Sequence, residues 1–406
     1  MVTAYSASTR NPDPVPGQGA RNFNPLKDCY RVLVSEALRL SIKDPSLPYS
    51  LFRMARAQQK AFRARAEHAR HGLCVPPVMV FSVTNRCNLH CKGCYHHALR
   101  DLSQPEMSEE KLHSVVQEGR DLGVSLMVFV GGEPLVRQDI MRVGHDFPEI
   151  VFLVFTNGTL LTDEMVKRFK HQRNIIPVLS IEGYERETDD RRGNGIYKRL
   201  HDAMSRLTKG GVFFGTSITV TRPNFHTVVD ESFVRHLTGK RCRFVLFSEY
   251  TPTQPGTEDW VITDAQRDML AAEVRRFRGS IGALFFSAPA DEDQFGGCLS
   301  AGRGFIHVNA GGDVEPCPFV PYSDVSLRDT SLKDALGSKF LSAIRCAGIE
   351  EANGGCVLWE KRDWLQSLLE KPEEKTAAVS SLVPVYTPVS GRHGSYYRIT
   401  APIASG

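Results

Sequence analysis

Three cysteines, Cys87, Cys91 and Cys94, stand at the spacing C-x3-C-x2-C in the run Cys-Asn-Leu-His-Cys-Lys-Gly-Cys. Thiolates are ligands for zinc and for the irons of an iron–sulfur cluster. Three of them can hold three corners of a cubic [4Fe–4S] cluster, and no fourth cysteine lies in this loop, so one iron is left open for a ligand. A zinc knuckle is the alternative. With ten cysteines in 406 residues, chance gives this spacing about six times in a thousand, which makes the run more than three unrelated thiols. Cys298, Cys317, Cys346 and Cys356 form a second, downstream set, enough for one fully ligated cluster or one structural zinc. Cys29, Cys74 and Cys242 fit neither group and read as small apolar residues.

On Cys87, Cys91 and Cys94 the chain resembles the radical S-adenosylmethionine (radical SAM) superfamily. The resemblance implies that the open iron chelates the amino and carboxylate groups of S-adenosylmethionine, and that an electron from the cluster cleaves the sulfonium to a 5′-deoxyadenosyl radical. The family's aromatic just before the third cysteine is Gly93 here, with Tyr95 one place later. Gly131-Gly132-Glu133-Pro134 resembles the family's GGEP motif, which implies backbone and carboxylate contacts to the cofactor's amino group; an ordinary strand-to-helix turn is the alternative. Ser180 and Arg192 are similar to the serine and arginine that contact ribose and cofactor carboxylate in the sulfatase-maturing branch, with Arg191 adjacent and able to take that role. Thr156-Asn157-Gly158 matches a turn of the same branch, so Asn157 is either a cofactor contact or a turn residue. Downstream, Cys298 to Cys317 with Gly312 between them gives C-x13-G-x4-C, similar to the start of the SPASM/Twitch extension. The resemblance implies a single auxiliary [4Fe–4S] cluster on Cys298, Cys317, Cys346 and Cys356, and an electron donor such as a flavodoxin or ferredoxin.

The elements that must position these residues alternate regularly. Val78 to Val83 is a short apolar run behind Pro76-Pro77, a buried strand whose far end leads into the cysteines. Strands are expected at Leu126–Val130, Val151–Phe155, Ile175–Ile181, Phe213–Thr219 and Arg243–Phe247, with helices from Ser108, from Thr162, over Tyr197–Leu207 and over Thr227–Leu237. Six βα units in series predict an α/β fold with a parallel sheet, a partial (β/α)6 TIM-like barrel over 76–280, whose chemistry sits at the C-terminal ends of its strands. Glu249 and Tyr250, just past the sixth strand, are candidates for handling a substrate proton. A small cysteine-rich β-hairpin and helix domain is expected over 281–365, and a flexible tail over 366–406.

Ahead of the barrel, residues 1–24 read as a disordered arm and 25–75 as two helices. The second, Ser50 to His71, carries Arg53, Arg56, Lys60, Arg63, Arg65 and Arg70 against Glu67 alone, a local charge near +5. It reads as a helix packed on the barrel with a solvated basic face, or as one that contacts an anionic membrane surface. The formal charge of the whole chain, +4, is too small for its size to indicate nucleic acid. No apolar run approaches a membrane span, and the polar start lacks a signal-peptide core. A cytoplasmic enzyme, peripheral at a membrane surface if that helix binds lipid, is the expectation, and its cysteines are metal ligands or free thiols. The reaction expected is hydrogen abstraction from an unactivated C–H bond of a peptide, lipid or small molecule; a non-catalytic metal-binding protein on a degenerate barrel is the rival.

Overall fold

The computed structural model describes residues 47–101, 103–295, 297–347, 356–370, 385–391 and 394–400. The expected arm, the first helix and Cys29 lie outside the described residues. Six parallel strands follow one another in chain order across the sheet, each joined to the next through helix: β1 (Val78–Thr84), β2 (Leu126–Gly131), β3 (Val151–Thr156), β4 (Ile175–Ser180), β5 (Gly215–Val220) and β6 (Phe244–Glu249). This is the partial barrel expected from the βα repeat. Helix starts obey local chemistry: Ser108 and Thr162 accept hydrogen bonds from Lys111 N and Met165 N. The single helix expected from Thr227 to Leu237 is two, Phe225–Val228 and Glu231–Gly239, because Asp230 caps the second by accepting from Ser232 N. A polar stretch with no apolar period forms a further helix, Glu185–Arg192.

The sheet runs on past position 280. A seventh parallel strand, β7 (Leu284–Ala288), pairs with β6. At the other edge, β8 (Phe305–Val308) pairs parallel with β1, and β9 (Val314–Glu315) returns antiparallel to it. The expected hairpin therefore exists, but it continues the barrel's own sheet, in the order β7-β6-β5-β4-β3-β2-β1-β8-β9. The tail is not wholly irregular either: Arg362–Glu370 is helical with Leu365 buried, and β10 (Val385–Gly391) pairs antiparallel with β11 (Gly394–Thr400).

Successive residues of a strand point to opposite faces of the sheet. On β2, β3 and β6, Met127, Phe129, Phe152, Val154, Val245 and Phe247 are buried in the main core with helix residues such as Leu112, Val115 and Leu200. Their neighbours, among them Val128, Leu153 and Leu246, are only half-buried and line the inside. Paired residues share a face, so the register defines the inner surface: Val80, Val128, Leu153 and Ile176 form one rung and Ser180, Ser217, Leu246 and Phe286 another. Those rungs contain no charged side chain. The helix Leu47–Arg70 packs against the helix Glu109–Leu122, where Gln58 donates to Ser125 O and buried Arg65 to Gly123 O, at the N-terminal end of β2.

Candidate functional site

The cysteine loop leaves the C-terminal end of β1 and is fixed from four sides. Glu106 accepts from Thr84 Oγ1 (2.7 Å) and Asn85 N (2.8 Å) at its root. Gly132 N donates to Thr84 O and Glu133 N to Arg86 O, both at 2.8 Å. A Cβ at Gly131 or Gly132 would collide with the Thr84 or Arg86 carbonyl, and Gly131 has φ of +120°, so these two positions admit only glycine. The third tie is Asn88, whose Oδ1 accepts from Asn157 Nδ2 (2.8 Å) and whose Nδ2 donates to Thr159 Oγ1 (2.8 Å). On the fourth side, Lys92 N donates to Arg191 O (2.9 Å) and Lys92 Nζ pairs with Asp190 (2.6 Å).

Glu133 does not point its carboxylate outward. It is buried, and its oxygens accept from Leu135 N (3.0 Å), Thr156 Oγ1 (2.7 Å) and Asn157 N (2.7 Å). Burial pushes its pKa up, and those three donors pull it back. Its observed work is to lock the end of β2 to the end of β3, with Pro134 opening the short 3-10 turn Pro134–Val136 beside it. Asn157 N donates to Glu133 and its Nδ2 to Asn88 Oδ1.

The centre of the opposite wall is a residue that the sequence reading passed over. Glu182, buried two places beyond Ser180, accepts from Arg191 Nη1 (2.6 Å) and Arg192 Nε (2.8 Å) on one oxygen and from Thr219 N (3.2 Å) on the other. Asn224 Nδ2 donates to Glu182 O (2.9 Å). Burial carries the Cys91 thiol upward, and the charge of both arginines favours its thiolate. Arg191 Nε is buried without a hydrogen-bond partner. The only sequence signal for Glu182 was its place just beyond a strand end.

The three thiols are half-buried and unpaired by disulfides. Burial pushes Cys87 up to about 11, so metal binding there must displace a proton. Among the described residues no three His, Cys, Asp or Glu side chains are gathered as one metal ion would require. Three free thiols on one loop are a donor set for three corners of a cubic cluster, with the fourth iron left open.

In the extension, Cys317 hydrogen-bonds to Cys356, which pushes the former thiol up and draws the latter down. Cys298, pushed up to about 12 by burial, feels Cys356. Cys346 is placed differently: the groups acting on it are Arg345 and Ser342 of its own helix. Between the two regions lies a buried relay in which Ser82 Oγ meets His307 Nε2 (2.8 Å), His307 Nδ1 meets Glu315 (2.7 Å), and Glu315 pairs with Arg100.

Glu249 faces away from the inside. Counting along β6, it shares the outer face with Val245 and Phe247, and it accepts from Arg267 Nε at 2.8 Å on the helix Asp264–Ser280. Tyr250 lies at the mouth, its hydroxyl donating to Thr257 Oγ1 (2.9 Å).

Residues 81–238 match the model of the radical SAM superfamily. The chain belongs to the radical SAM superfamily. It is 25% identical over 281 residues to the AdoMet-dependent heme synthase of Nitratidesulfovibrio vulgaris, covering 62% of this chain and 76% of that protein. It is 27% identical over 273 residues to the mycofactocin maturase MftC of Mycobacterium ulcerans, covering 62% and 71%. In fold it is similar to Streptococcus suis SuiB bound to its precursor peptide SuiA, with a TM-score of 0.59, 16% identity and coverage of 73% and 76%. The chain is thus a radical SAM enzyme with a partial barrel and a C-terminal extension.

Proposed function

We propose that Cys87, Cys91 and Cys94 hold the [4Fe–4S] cluster of a radical SAM enzyme that abstracts hydrogen from an apolar part of an organic substrate. When bound, the cluster and S-adenosylmethionine supply the electron and the sulfonium whose S–C5′ bond is broken, giving methionine and a 5′-deoxyadenosyl radical. The chain's part is to hold and to exclude. Gly131 and Gly132 keep the end of β2 against the cysteine loop, Arg191 and Arg192 present positive charge to the cofactor's carboxylate, and Ser180 stands at the same mouth. The observation that carries the reading is the placement of this loop over an inner face whose rungs from β1 to β7 hold no charged side chain, with His307 and Glu315 sharing that face only at the β8–β9 edge. A hydrocarbon portion of the substrate is held there away from solvent, which protects a carbon radical from side reactions.

The relatives are named for heme synthesis and for mycofactocin maturation. A tetrapyrrole side chain and a peptide side chain both present unactivated C–H bonds of this kind. Cys298, Cys317 and Cys356 are the proposed core of an auxiliary cluster that takes an electron from the substrate radical, with a flavodoxin or ferredoxin as the external donor.

The test is anaerobic reconstitution with iron, sulfide and dithionite. Wild-type protein is expected to release 5′-deoxyadenosine from S-adenosylmethionine, and the Cys87→Ala, Cys91→Ala, Cys94→Ala triple variant is expected to release none. Equal release from both would end the proposal.

A further inference from the structure

Position 93 lies inside the cysteine loop, and its backbone is left-handed, with φ of +63°. A Cβ there would stand 2.7 Å from Tyr250 Oη and 2.9 Å from Trp260 Cζ3. The space into which a side chain at 93 would project is thus already filled by two rings from the segment after β6. Those rings sit against each other, centroids 5.4 Å apart and tilted by 51°. Tyr250 is 5% exposed and its hydroxyl is bound to Thr257, so it is a fixed support. Trp260 is half-buried. Its backbone is pinned at both ends: Trp260 N donates to Thr257 O (3.0 Å) and Trp260 O accepts from Arg222 N (2.8 Å).

S-adenosylmethionine carries adenine, a flat ring that gains from an aromatic face. Tyr95, the aromatic next to the third cysteine, is engaged elsewhere. It packs on Phe319 of the extension, centroids 5.1 Å apart, beside the Arg100–Glu315 pair. Of the two rings that stand against Gly93, Tyr250 is buried and Trp260 is half-buried with its backbone fixed.

We propose that Trp260 supplies the aromatic surface for the adenine of S-adenosylmethionine, and that Gly93 is the slot that lets it stand over the cysteine loop. Tyr250 is then a positioning residue that holds the indole. The proposal rests on the reading that Cys87, Cys91 and Cys94 carry the open-cornered cluster.

The experiment measures S-adenosylmethionine affinity by equilibrium dialysis on reconstituted, unreduced full-length protein, with iron content and thermal midpoint recorded for each variant. Trp260→Ala is expected to weaken affinity about tenfold, the scale of a lost base–aromatic stack, with iron content unchanged. Trp260→Phe keeps a ring and is expected to stay within about threefold of wild type. At saturating S-adenosylmethionine, the reduced Trp260→Ala protein should still show the cofactor-dependent change in its electron paramagnetic resonance signal, because chelation of the open iron does not use the indole. Affinity of Trp260→Ala within twofold of wild type overturns the proposal. So does loss of iron from Trp260→Ala with unaltered affinity per loaded cluster, which would make Trp260 a cover for the cluster. If wild type itself shows no cofactor-dependent signal change, the underlying reading fails and takes this inference with it.

Discussion

Glu182 holds two guanidinium groups with one carboxylate, and all three side chains are largely buried. Breaking such an arrangement by removing the anion leaves two cations with too little compensation, a loss of about 3–5 kcal/mol in comparable buried pairs. Glu182→Gln is expected to lower the thermal midpoint and to weaken S-adenosylmethionine binding several-fold, since Arg191 also anchors Lys92 of the cysteine loop through its carbonyl. Dialysis against the cofactor, compared with Glu185→Gln on the exposed first turn of the helix Glu185–Arg192, checks this. Unaltered binding in Glu182→Gln would return the network to a purely structural role. The cysteines and Gly131 to Pro134 were legible because their chemistry is written in adjacent positions. Glu182 was not, because its partners come from a helix without apolar residues and from β5, which only the pairing of Ser180 with Ser217 sets beside it. Glu249 illustrates a parity effect: one residue along a strand separates the inside of the barrel from the helix layer, and the strand end alone does not tell which side it takes.

At the level of elements, the helix Leu47–Arg70 spends its inward side on the barrel, with Gln58 and Arg65 bonded to carbonyls at the start of β2. What remains outside includes exposed Arg53, Arg56, Lys60, Arg63 and Arg70. Attachment to anionic lipid through these side chains is expected to be electrostatic. Binding to anionic vesicles at low salt is expected to vanish by about 0.15 M salt, where charges are screened beyond about 8 Å; co-sedimentation that persists there would show insertion instead. No helix among the described residues is long and apolar enough to cross a membrane. The βα repeat was readable from β1 to β6, since each strand is an apolar run bounded by turns. β7 was equally apolar, Leu284-Phe285-Phe286, but followed the sixth unit and was absorbed into the extension. The parallel pairing of β8 with β1 had no local signal, because the two strands are far apart in the chain.

On the scale of the whole molecule, the two sets of thiols are joined by Tyr95, which follows Cys94 and meets Phe319 two places after Cys317. If they carry separate clusters, the Cys87→Ala, Cys91→Ala, Cys94→Ala protein should retain about four irons and a brown absorption after reconstitution. Adding Cys317→Ser to it should remove them, whereas adding Cys346→Ser should not; a zinc-loaded, colourless protein would replace the auxiliary cluster with a structural ion. The seam between β1 and β8 also bears on how the protein is made. Until residue 308 has left the ribosome, β1 has a partner on one side only, and an unpaired strand edge is a site of wrong pairing. The interval between completing β1 and completing β8 is 224 residues of synthesis, roughly 10–45 s at about 5–20 residues per second. Throughout that time a nascent barrel with its cysteines already exposed is open along the edge nearest to them, so iron delivered early would meet a chain that is still free to pair with a neighbour.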